Sequence, residues 1–396
     1  AMTNNRITFL LLALLLCGNV SRAQNDIEQV MKSILQNNAS LRTAQAEAEA
    51  QKVAERTDIF LEGPEMGYNR LWGSPLAIGN RTDFSVSQSF DLPTLTGQKS
   101  RLARLRQQLP DQALRAKKQE ILLEARQACI DLIYYNALIK LLAQRTSRAE
   151  SLLAAYRKQL EQGNTNQIET GKARLYLAAA RGEEARARAE QANLKRTLEQ
   201  LNGGLPIELN DTLWPADPLP ADFNAWMKQA GDNHPTIRFL HLQAQADRRE
   251  VSLARALNLP RITTGYMSEK TAGEHYQGIT LGLSLPLWQN KNRTRRAQAQ
   301  MAATEQKQQE VRLSLDRTLH AAYQQAVALH QVADDYRQAL NELRNRDLLD
   351  RALKSGEITL TDYLMEMNLY HETRLQILAT QRDAEKAKAQ LWVALQ

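Results

Sequence analysis

The sequence predicts a mainly helical protein that carries four β-strands and is built from two tandem structural repeats. Three observations support this fold class: an internal duplication, long stretches whose apolar residues recur in steps of three and four, and short stretches in which large apolar and small residues alternate. The first spacing is that of a coiled-coil helix, and the second is that of a strand with two different faces. The helices therefore present apolar seams, and the strands present one apolar face each.

The N-terminus predicts an export signal. A basic residue precedes an apolar run over residues 7–16, and small residues stand three and one positions before Gln24. Residues 1–23 are therefore interpreted as a secretory signal peptide. Cys17 leaves a lipid-anchored form open as an alternative. The apolar run is too short for a membrane-spanning helix, which needs about 20 residues.

The remainder of the chain is duplicated. Residues 37–51 resemble residues 232–246, and residues 161–170 resemble residues 354–363. Each copy has the order helix, β-hairpin, long helix, tight turn and return helix. Self-similarity of this kind indicates repeated structural units.

These matches divide the mature chain into a first repeat over residues 24–201, a linker over residues 202–221 and a second repeat over residues 222–396. The linker is rich in Gly and Pro, which break helices. Asp222 directly precedes the next helical pattern, so we expect its side chain to cap that helix.

Each repeat contains a predicted β-hairpin, over residues 64–93 in the first and residues 260–288 in the second. Within both, large apolar residues alternate with small or hydroxyl residues. The predicted apolar face comprises Phe84, Val86, Phe90, Ile279, Leu281, Leu283 and Leu285. The predicted small face comprises Ser85, Ser87, Ser89, Gly278, Thr280, Gly282 and Ser284.

Strands of about ten residues with this alternation are typical of transmembrane β-barrels. Four strands cannot close a barrel by themselves, and open sheet edges are not tolerated in lipid. We therefore predict a barrel that is shared among subunits, with the apolar face toward lipid and the small face toward a lumen. The alternative is a pair of soluble hairpins packed against the helices.

Long helices follow the hairpins, over residues 98–162 and residues 291–355. Apolar residues spaced by three and four form a seam along each, and each helix would be on the order of 95 Å long. Pro110 should kink or interrupt the first helix. Gly163 and Gly356 then end the helices in the left-handed conformation, so each marks a tight helical hairpin.

Composition and motifs argue against an enzyme and against a nucleic-acid-binding protein. The formal charge is +7, but Lys and Arg are interleaved with Asp and Glu along the chain, which is typical of solvated helix faces. The six His residues and Cys129 have no zinc-type spacing, and no glycine loop for phosphate is present in the sequence. We therefore predict no catalytic residues, no cofactor and no metal site.

The order of these motifs resembles the TolC-type outer membrane factors, and within them the shorter heavy-metal efflux branch of the CzcC and CusC type. The resemblance rests on "NASLRTAQAEAEA", "FLEGPEMGY", "FSVSQSFDLPTLTGQKSRLA" and the turn sequences "QGN" and "SGE". It implies a homotrimer in the outer membrane of a Gram-negative bacterium. Three copies of four strands would make a twelve-stranded barrel, and the helices would form a tunnel that extends into the periplasm.

The same resemblance implies the outer membrane channel of a tripartite efflux system, in which substrate, in this branch heavy-metal cations, passes from an inner-membrane pump and a periplasmic adaptor to the exterior. By this resemblance the helical hairpin tips contact the adaptor through Gly163, Asn164, Gly356 and Glu357. Asp362, with Glu366 one helical turn later, would narrow the periplasmic mouth as a cation-attracting ring.

Two alternatives stay open on the sequence. One is a type I secretion exit duct, and the other is a periplasmic coiled-coil adaptor or scaffold. An adaptor would carry one helical hairpin flanked by β-rich segments, whereas this chain predicts two helical hairpins. In proteins of the resembled family the pump selects the substrate, so these motifs do not distinguish a metal, a drug or a protein as cargo.

Overall fold

The computed structural model describes residues 20–396 apart from 92, 217, 287 and 343–345. The predicted signal peptide therefore lies almost entirely outside the described residues, as does Cys17. The described helices are α1 Val20–Asn37, α2 Ala39–Ala54, α3 Pro93–Arg106, α4 Leu109–Glu161, α5 Gln167–Leu201, α6 Phe223–Asn233, α7 Pro235–Ala256, α8 Arg293–Glu342, α9 Arg346–Ser355 and α10 Leu360–Val393. The strands are β1 Glu65–Leu71, β2 Arg81–Phe90, β3 Arg261–Lys270 and β4 His275–Ser284.

The chain folds into two compact units that interleave along the sequence. Unit 1 contains the segment that ends at Thr43, together with Lys117–Gly231 and Leu315–Gln396. Unit 2 contains Ala44–Ala116 and Asp232–Ser314, and with them all four strands. Each unit therefore draws on both predicted repeats. None of the helices in the described part of the chain has both the length and the apolar character needed to cross a membrane.

Pro110 interrupts the first long helix, as predicted. Helix α3 ends at Arg106, and α4 begins at Leu109 with Pro110 in its first turn. Proline is tolerated at that position, because the N–H group that it lacks would have no partner inside the helix. Helix α4 then continues for 53 residues, which corresponds to about 80 Å.

The second long helix, expected over residues 291–355, is described in two parts, and both are helical. Helix α8 ends at Glu342 and α9 begins at Arg346, and the three residues between them lie outside the described residues.

The linker prediction holds in one detail. The backbone N–H of Ala225 donates to Oδ1 of Asp222 at 3.0 Å, so Asp222 caps α6.

The predicted seam of α4 lies in the core of unit 1. The seam residues Ile121, Ala125, Leu132, Leu142, Ala149 and Leu153 are all buried. Near the hairpin tips, Ala149 and Leu153 pack against α5 and α10 in one apolar cluster. Alanine at many of these positions allows the helix backbones to approach closely.

A buried guanidinium group links three helices of unit 1. Arg145 of α4 is 8% exposed, donates to Glu183 of α5 at 2.7 Å and donates to Asn368 of α10 at 3.1 Å. Its guanidinium carbon also lies 5.2 Å from the ring centre of Tyr176. A charge that is removed from water in this way must keep its partners to be tolerated.

The hairpins join into one four-stranded antiparallel sheet in the order β1-β2-β3-β4. The contact between the hairpins is made by β2 and β3, which pair from Thr82 with Lys270 to Phe90 with Ile262. The strands end earlier than predicted. Strand β4 ends at Ser284, so Leu285 lies one residue beyond the strand; Pro286, which has no N–H group to donate to a ladder, follows directly.

Arg145 provides a test of how unit 1 is held together. We expect Arg145→Met to destabilise the folded protein by about 2–4 kcal/mol, because Glu183 and Asn368 lose their donor in a buried site. Arg181→Met is the matched control, since Arg181 also links α5 to α4 through a 2.7 Å pair with Glu150 but is solvent-exposed; its cost should be below about 1 kcal/mol. Thermal unfolding followed by circular dichroism measures both. Equal losses of stability in the two variants would show that burial of Arg145 does not increase the contribution of its contacts.

Candidate functional site

Cross-strand pairing places the predicted apolar residues of both hairpins on one face of the sheet. Residues that pair directly across strands point to the same face. Val86 pairs with Tyr266, and Tyr266 pairs with Ile279. In the same way Phe90, Ile262 and Leu283 form one row. The side chains of Ile279 and Leu281 are 84% and 82% exposed, so this apolar face has no cover in the described chain.

The opposite face carries the predicted small residues in equally continuous rows. Ser87 pairs with Gly265, which pairs with Thr280. Ser89 pairs with Thr263, which pairs with Gly282. The Ser89 and Thr263 hydroxyl oxygens are 3.1 Å apart. The sheet therefore separates a mainly apolar face from a face of small and polar residues. On the second face Met267 lies between Ser85 and Gly278, and Asp83 pairs with Glu269.

The two outer strands leave open edges. Strand β1 pairs only with β2, and β4 pairs only with β3, among the described residues. Every residue of β4 is exposed. Each edge therefore offers a row of backbone N–H and C=O groups to another strand.

The two predicted hairpin tips share one backbone geometry. At the first tip Gly163 has φ +73°, its N–H donates to the carbonyl of Leu160, and the N–H of Asn164 donates to the carbonyl of Gln159 at 2.8 Å. These are the two bonds of a Schellman motif, which satisfies the last carbonyls of α4.

The second tip repeats this arrangement. Gly356 has φ +78° and donates to Leu353, and Glu357 donates to Ala352 at 2.9 Å. All four tip residues predicted from the sequence are exposed. No heavy atom lies within 4 Å of the position that a Cβ atom would take on either glycine.

Polar side chains cap the N-termini of the two return helices, α5 and α10. At the first tip the side chain of Asn166 accepts the N–H of Glu169. At the second tip Thr359 and Asp362 form a capping box, in which the Thr359 hydroxyl donates to Asp362 at 2.6 Å and accepts the N–H of Asp362. Asp362 is thus held in a helix-initiating role. Glu366 is exposed and has no hydrogen-bond or ion-pair partner among the described residues.

Contacts that the sequence interpretation missed join the two tips. Lys172 of α5 donates to the Thr361 hydroxyl of α10 at 2.8 Å and to Glu169 at 2.8 Å. The buried Tyr363 donates to Asp350 of α9 at 2.7 Å. Burial, together with this hydrogen bond, raises the pKa of Tyr363 well above its usual value, so the phenol keeps its proton and remains a donor. Lys172 therefore fixes the two tips to each other, and Tyr363 holds α10 to α9 within the second tip.

A second apolar seam on α5 was also missed. Its members are small or apolar, exposed or half-buried, and spaced alternately by three and four: Ile168, Gly171, Leu175, Ala178, Gly182, Ala185, Ala189 and Ala192. Ile168 and Leu175 are 70% and 73% exposed. The buried seam of α5, which includes Ala173 and Leu177, lies on the opposite side of the helix. The alternating steps of three and four are visible in the sequence and are the signal that identifies this seam.

Within the described residues no group of three or more His, Cys, Asp or Glu side chains is arranged to hold a metal ion. Cys129 is buried in α4, and burial raises the pKa of its thiol to about 12. That thiol therefore stays protonated and packs as a small apolar group.

Comparisons with known proteins agree with this geometry. Residues 226–395 match a family model described as outer membrane efflux protein. A comparison with curated protein sequences gives no match. Among solved structures, CusC superposes with a TM-score of 0.78 at 17% identity, covering 94% of this chain and 92% of that chain.

Two further solved structures show the same likeness. VceC from Vibrio cholerae, an outer membrane protein, gives a TM-score of 0.79 at 16% identity and covers 94% of this chain and 97% of that chain. The MtrE outer membrane channel of Neisseria gonorrhoeae, in its open state, gives 0.77 at 17% identity and covers 93% and 88%. The chain therefore has the fold of these outer membrane proteins, with long helices and a membrane-type sheet in tandem repeats.

The tip glycines give a second testable prediction. We expect Gly163→Ala to cost about 1 kcal/mol, because a Cβ atom is strained at positive φ even where space is open. Gly97→Ala is the matched control, since Gly97 lies inside α3 with equally open space around it, and it should stabilise the protein by about 0.5–1 kcal/mol. Thermal unfolding of the two variants should shift in opposite directions. A shift of the same sign would contradict the assigned tip geometry.

Proposed function

We propose that this chain is the outer membrane channel of a tripartite efflux system and that it works as a homotrimer. The observation that carries the proposal is the sheet, with its exposed apolar face, its opposite face of Gly, Ser and Thr, and its two open edges. In hydrocarbon, every unpaired backbone group on those edges would cost several kcal/mol. Pairing of β4 in one subunit with β1 in the next removes both edges at once. Three subunits then supply twelve strands.

The proposed orientation follows from the two faces. The row that contains Val86, Tyr266 and Ile279 faces lipid, and the row that contains Ser87, Gly265 and Thr280 lines the lumen. Side chains this small on the inner face leave room for an aqueous path. The helical part then lies in the periplasm, where its polar surfaces are solvated.

The second seam of α5 supports contact between subunits in the helical part. Alternating steps of three and four match the spacing by which one helix packs against another. Glycine and alanine at most of its positions permit close approach. We propose that a helix of the neighbouring subunit covers this seam and closes the wall of the tunnel.

The exposed tips are the proposed docking points for a periplasmic adaptor. They present Gly163, Asn164, Gly356 and Glu357 at the turns, where no bulky side chain shields the backbone. The Lys172 contact with Thr361 keeps the two tips together as one surface. Through the adaptor the channel would receive substrate from an inner-membrane pump.

Glu366 is the proposed centre of the periplasmic constriction, with Asp362 one turn before it. The Asp362 carboxylate already serves the capping box with Thr359, whereas Glu366 is exposed and unpaired within the described chain. Three copies of Glu366 around a threefold axis would attract cations and repel anions.

We further propose heavy-metal cations as the cargo, on the motif order that resembles the CzcC and CusC branch. Loss of the gene should raise susceptibility to silver, copper, zinc or cobalt salts and leave susceptibility to antibiotics unchanged. Restoring the chain should reverse the change. Greater susceptibility to antibiotics alone would favour drug export, and retention of a secreted protein would favour a type I secretion duct.

The trimeric channel is tested on the native protein. We expect the outer membrane fraction to yield a trimer that migrates as a single chain only after heating, and that conducts ions in planar lipid bilayers. A stable monomer in the absence of detergent would overturn the proposal.

Adjacent positions in β4 provide a sharper test of the two faces. Ile279→Lys should prevent insertion or trimer formation, because a lysine facing the centre of the bilayer costs about 2–4 kcal/mol in each subunit. Gly278→Lys is the matched control, because the neighbouring residue points to the other face and no atom lies within 4 Å of its Cβ position. That variant should insert and conduct with a changed ion preference. The reverse pattern would mean that the faces are exchanged.

Glu366→Gln should lower the preference of the channel for cations in bilayer recordings, since each trimer loses three negative charges. Glu372→Gln is the control, because Glu372 is exposed on another side of α10. We expect the control to leave the reversal potential within experimental error. An unchanged reversal potential in Glu366→Gln would exclude this residue from the constriction.

A further inference from the structure

A groove between α3 and α7 of unit 2 carries an unbalanced cluster of arginines. The two helices pack through an apolar core that includes Leu102 and Leu253. Beside that core lies a cavity of about 470 Å³ with no carboxylate in its lining. The arginine groove, as it is called below, is lined by Arg101, Arg104, Leu105, Arg248, Arg249 and Ser252.

Three of the four arginines have no counter-charge. Arg248 pairs with Glu305 at 3.1 Å. Arg101, Arg104 and Arg249 are exposed and take part in no ion pair within the described residues. Guanidinium groups gathered in this way repel one another unless an anion lies between them. The groove therefore has the charge and the donors of an anion-binding site.

The opposite side of α3 faces the small side of the sheet. Asp91 accepts hydrogen bonds from Lys99 of α3 at 2.7 Å and from Arg261 of β3 at 3.0 Å. Burial of Asp91 opposes its ionisation, but these two bonds outweigh burial and lower its pKa. By strand alternation Asp91 continues the side of Ser89, and Arg261 pairs with Ser284. This salt-bridge cluster therefore lies on the small-residue side.

Helix geometry then places the arginine groove on the apolar side. At 100° per residue, Arg101 and Arg104 lie about 200° and 140° around α3 from Lys99. A side chain on that face of α3 is turned away from the Asp91 cluster. The groove therefore opens on the side of α3 that is turned away from the small-residue face, within the same compact unit as the sheet.

The arginines of the two helices lie at similar distances from the helix ends nearest the sheet. Arg101 and Arg104 lie about 12 and 16 Å along α3 from Pro93, the end of the helix nearest the sheet. Arg249 lies about 10 Å from Ala256, the corresponding end of α7. Arginine side chains extend along apolar surface and carry the charged group several Å from the backbone. The polar layer that borders the hydrocarbon is about 5–8 Å thick on each side, so these side chains meet it by extending toward the sheet.

Helix α8 begins with positively charged residues, although the N-terminus of a helix favours negative charge. Arg295 and Arg296 lie in its first turn, which contains no acidic residue. Cations at a helix N-terminus oppose the helix dipole, at a cost of about 0.3–1 kcal/mol each. Both are exposed and free of ion pairs among the described residues. Positive charge without an ion-pair partner among the described residues is therefore present on α8 as well as on α3 and α7.

We propose that the arginine groove binds the phosphate headgroup of an acidic phospholipid in the periplasmic leaflet of the outer membrane. Guanidinium groups donate two parallel hydrogen bonds to phosphate oxygens. Ser252 offers a hydroxyl donor in the same lining, and Leu105 offers apolar surface for the glycerol end of an acyl chain. The proposal rests on the membrane insertion proposed above, because insertion is what brings this face to the lipid headgroups.

The test measures phosphatidylglycerol bound to the purified trimer in detergent by native mass spectrometry. The variant Arg101→Gln, Arg104→Gln, Arg249→Gln should weaken binding at least tenfold, since each basic residue near a membrane surface contributes on the order of 1 kcal/mol. The control Arg174→Gln, Arg196→Gln, Arg317→Gln removes the same charge from exposed arginines of unit 1 that have no ion pair in the described chain; it should bind like the unchanged protein. A triple Arg→Lys variant at 101, 104 and 249 should retain part of the binding.

Each outcome has one meaning. Wild-type binding in the glutamine variant, or equal loss in the control, overturns the proposal. Inorganic phosphate is added at concentrations that leave the lipid's acyl chains in the detergent micelle. If it displaces the lipid from the protein, the groove is a site for free anions, and this result also overturns the proposal. Normal lipid binding with loss of adaptor binding would assign the groove to a protein partner. Failure of all forms to conduct ions after insertion into bilayers, with lipid still bound to the wild type and lost from the glutamine variant, would refute the channel and leave the headgroup site standing.

Discussion

The open edges of the four-stranded sheet are the constraint on which the proposed assembly depends. A sheet in hydrocarbon must pair every backbone N–H and C=O group, and β1 and β4 each lack one partner within the described chain. Side chains do not solve this problem, because the groups belong to the backbone. A fold with this sheet is therefore complete in a membrane only when other copies supply the missing strands. The apolar face, in contrast, is a property of one chain.

The helical part meets a related requirement through its second seam. Helix α5 buries one seam in its own subunit and exposes the other on its opposite side. A helix with two apolar seams is suited to a wall in which each helix contacts a neighbour on both sides. The small residues of the second seam let neighbouring helices approach closely, so the wall is thin. They also keep the exposed apolar area of a free subunit low, which limits association with the wrong partner. The sheet and the helices thus point independently to neighbouring subunits.

Much of this fold was predictable, because the signals were periodic or chemically specific. Strand alternation identified both faces of the sheet, left-handed glycines located both tips, and Pro110 located the helix break. The end of β4 was not predictable to the residue, because the apolar pattern continues to Leu285, one residue after the strand ends. The contact of Lys172 with Thr361 was not predictable, since the two residues lie far apart in sequence and neither belongs to a repeated motif. The arginine groove was also hidden, because its charges come from two helices that meet only in the folded unit.

Because of the duplication, the acidic residues of the two tips can be compared position by position. Glu169 and Asp362 occupy equivalent positions, and both are used at the start of a helix: Glu169 receives Lys172, and Asp362 closes a capping box. An acid at that position is therefore accounted for by helix initiation in both repeats. The position four residues later behaves differently, because Ala173 is fully buried whereas Glu366 is exposed. The two return helices bury the equivalent residues Thr170 and Tyr363 but differ at this next position, so Glu366 has no structural task that its counterpart shares. A carboxylate exposed in only one of two otherwise matching tips is better explained by a role in the assembled channel than by the stability of the hairpin.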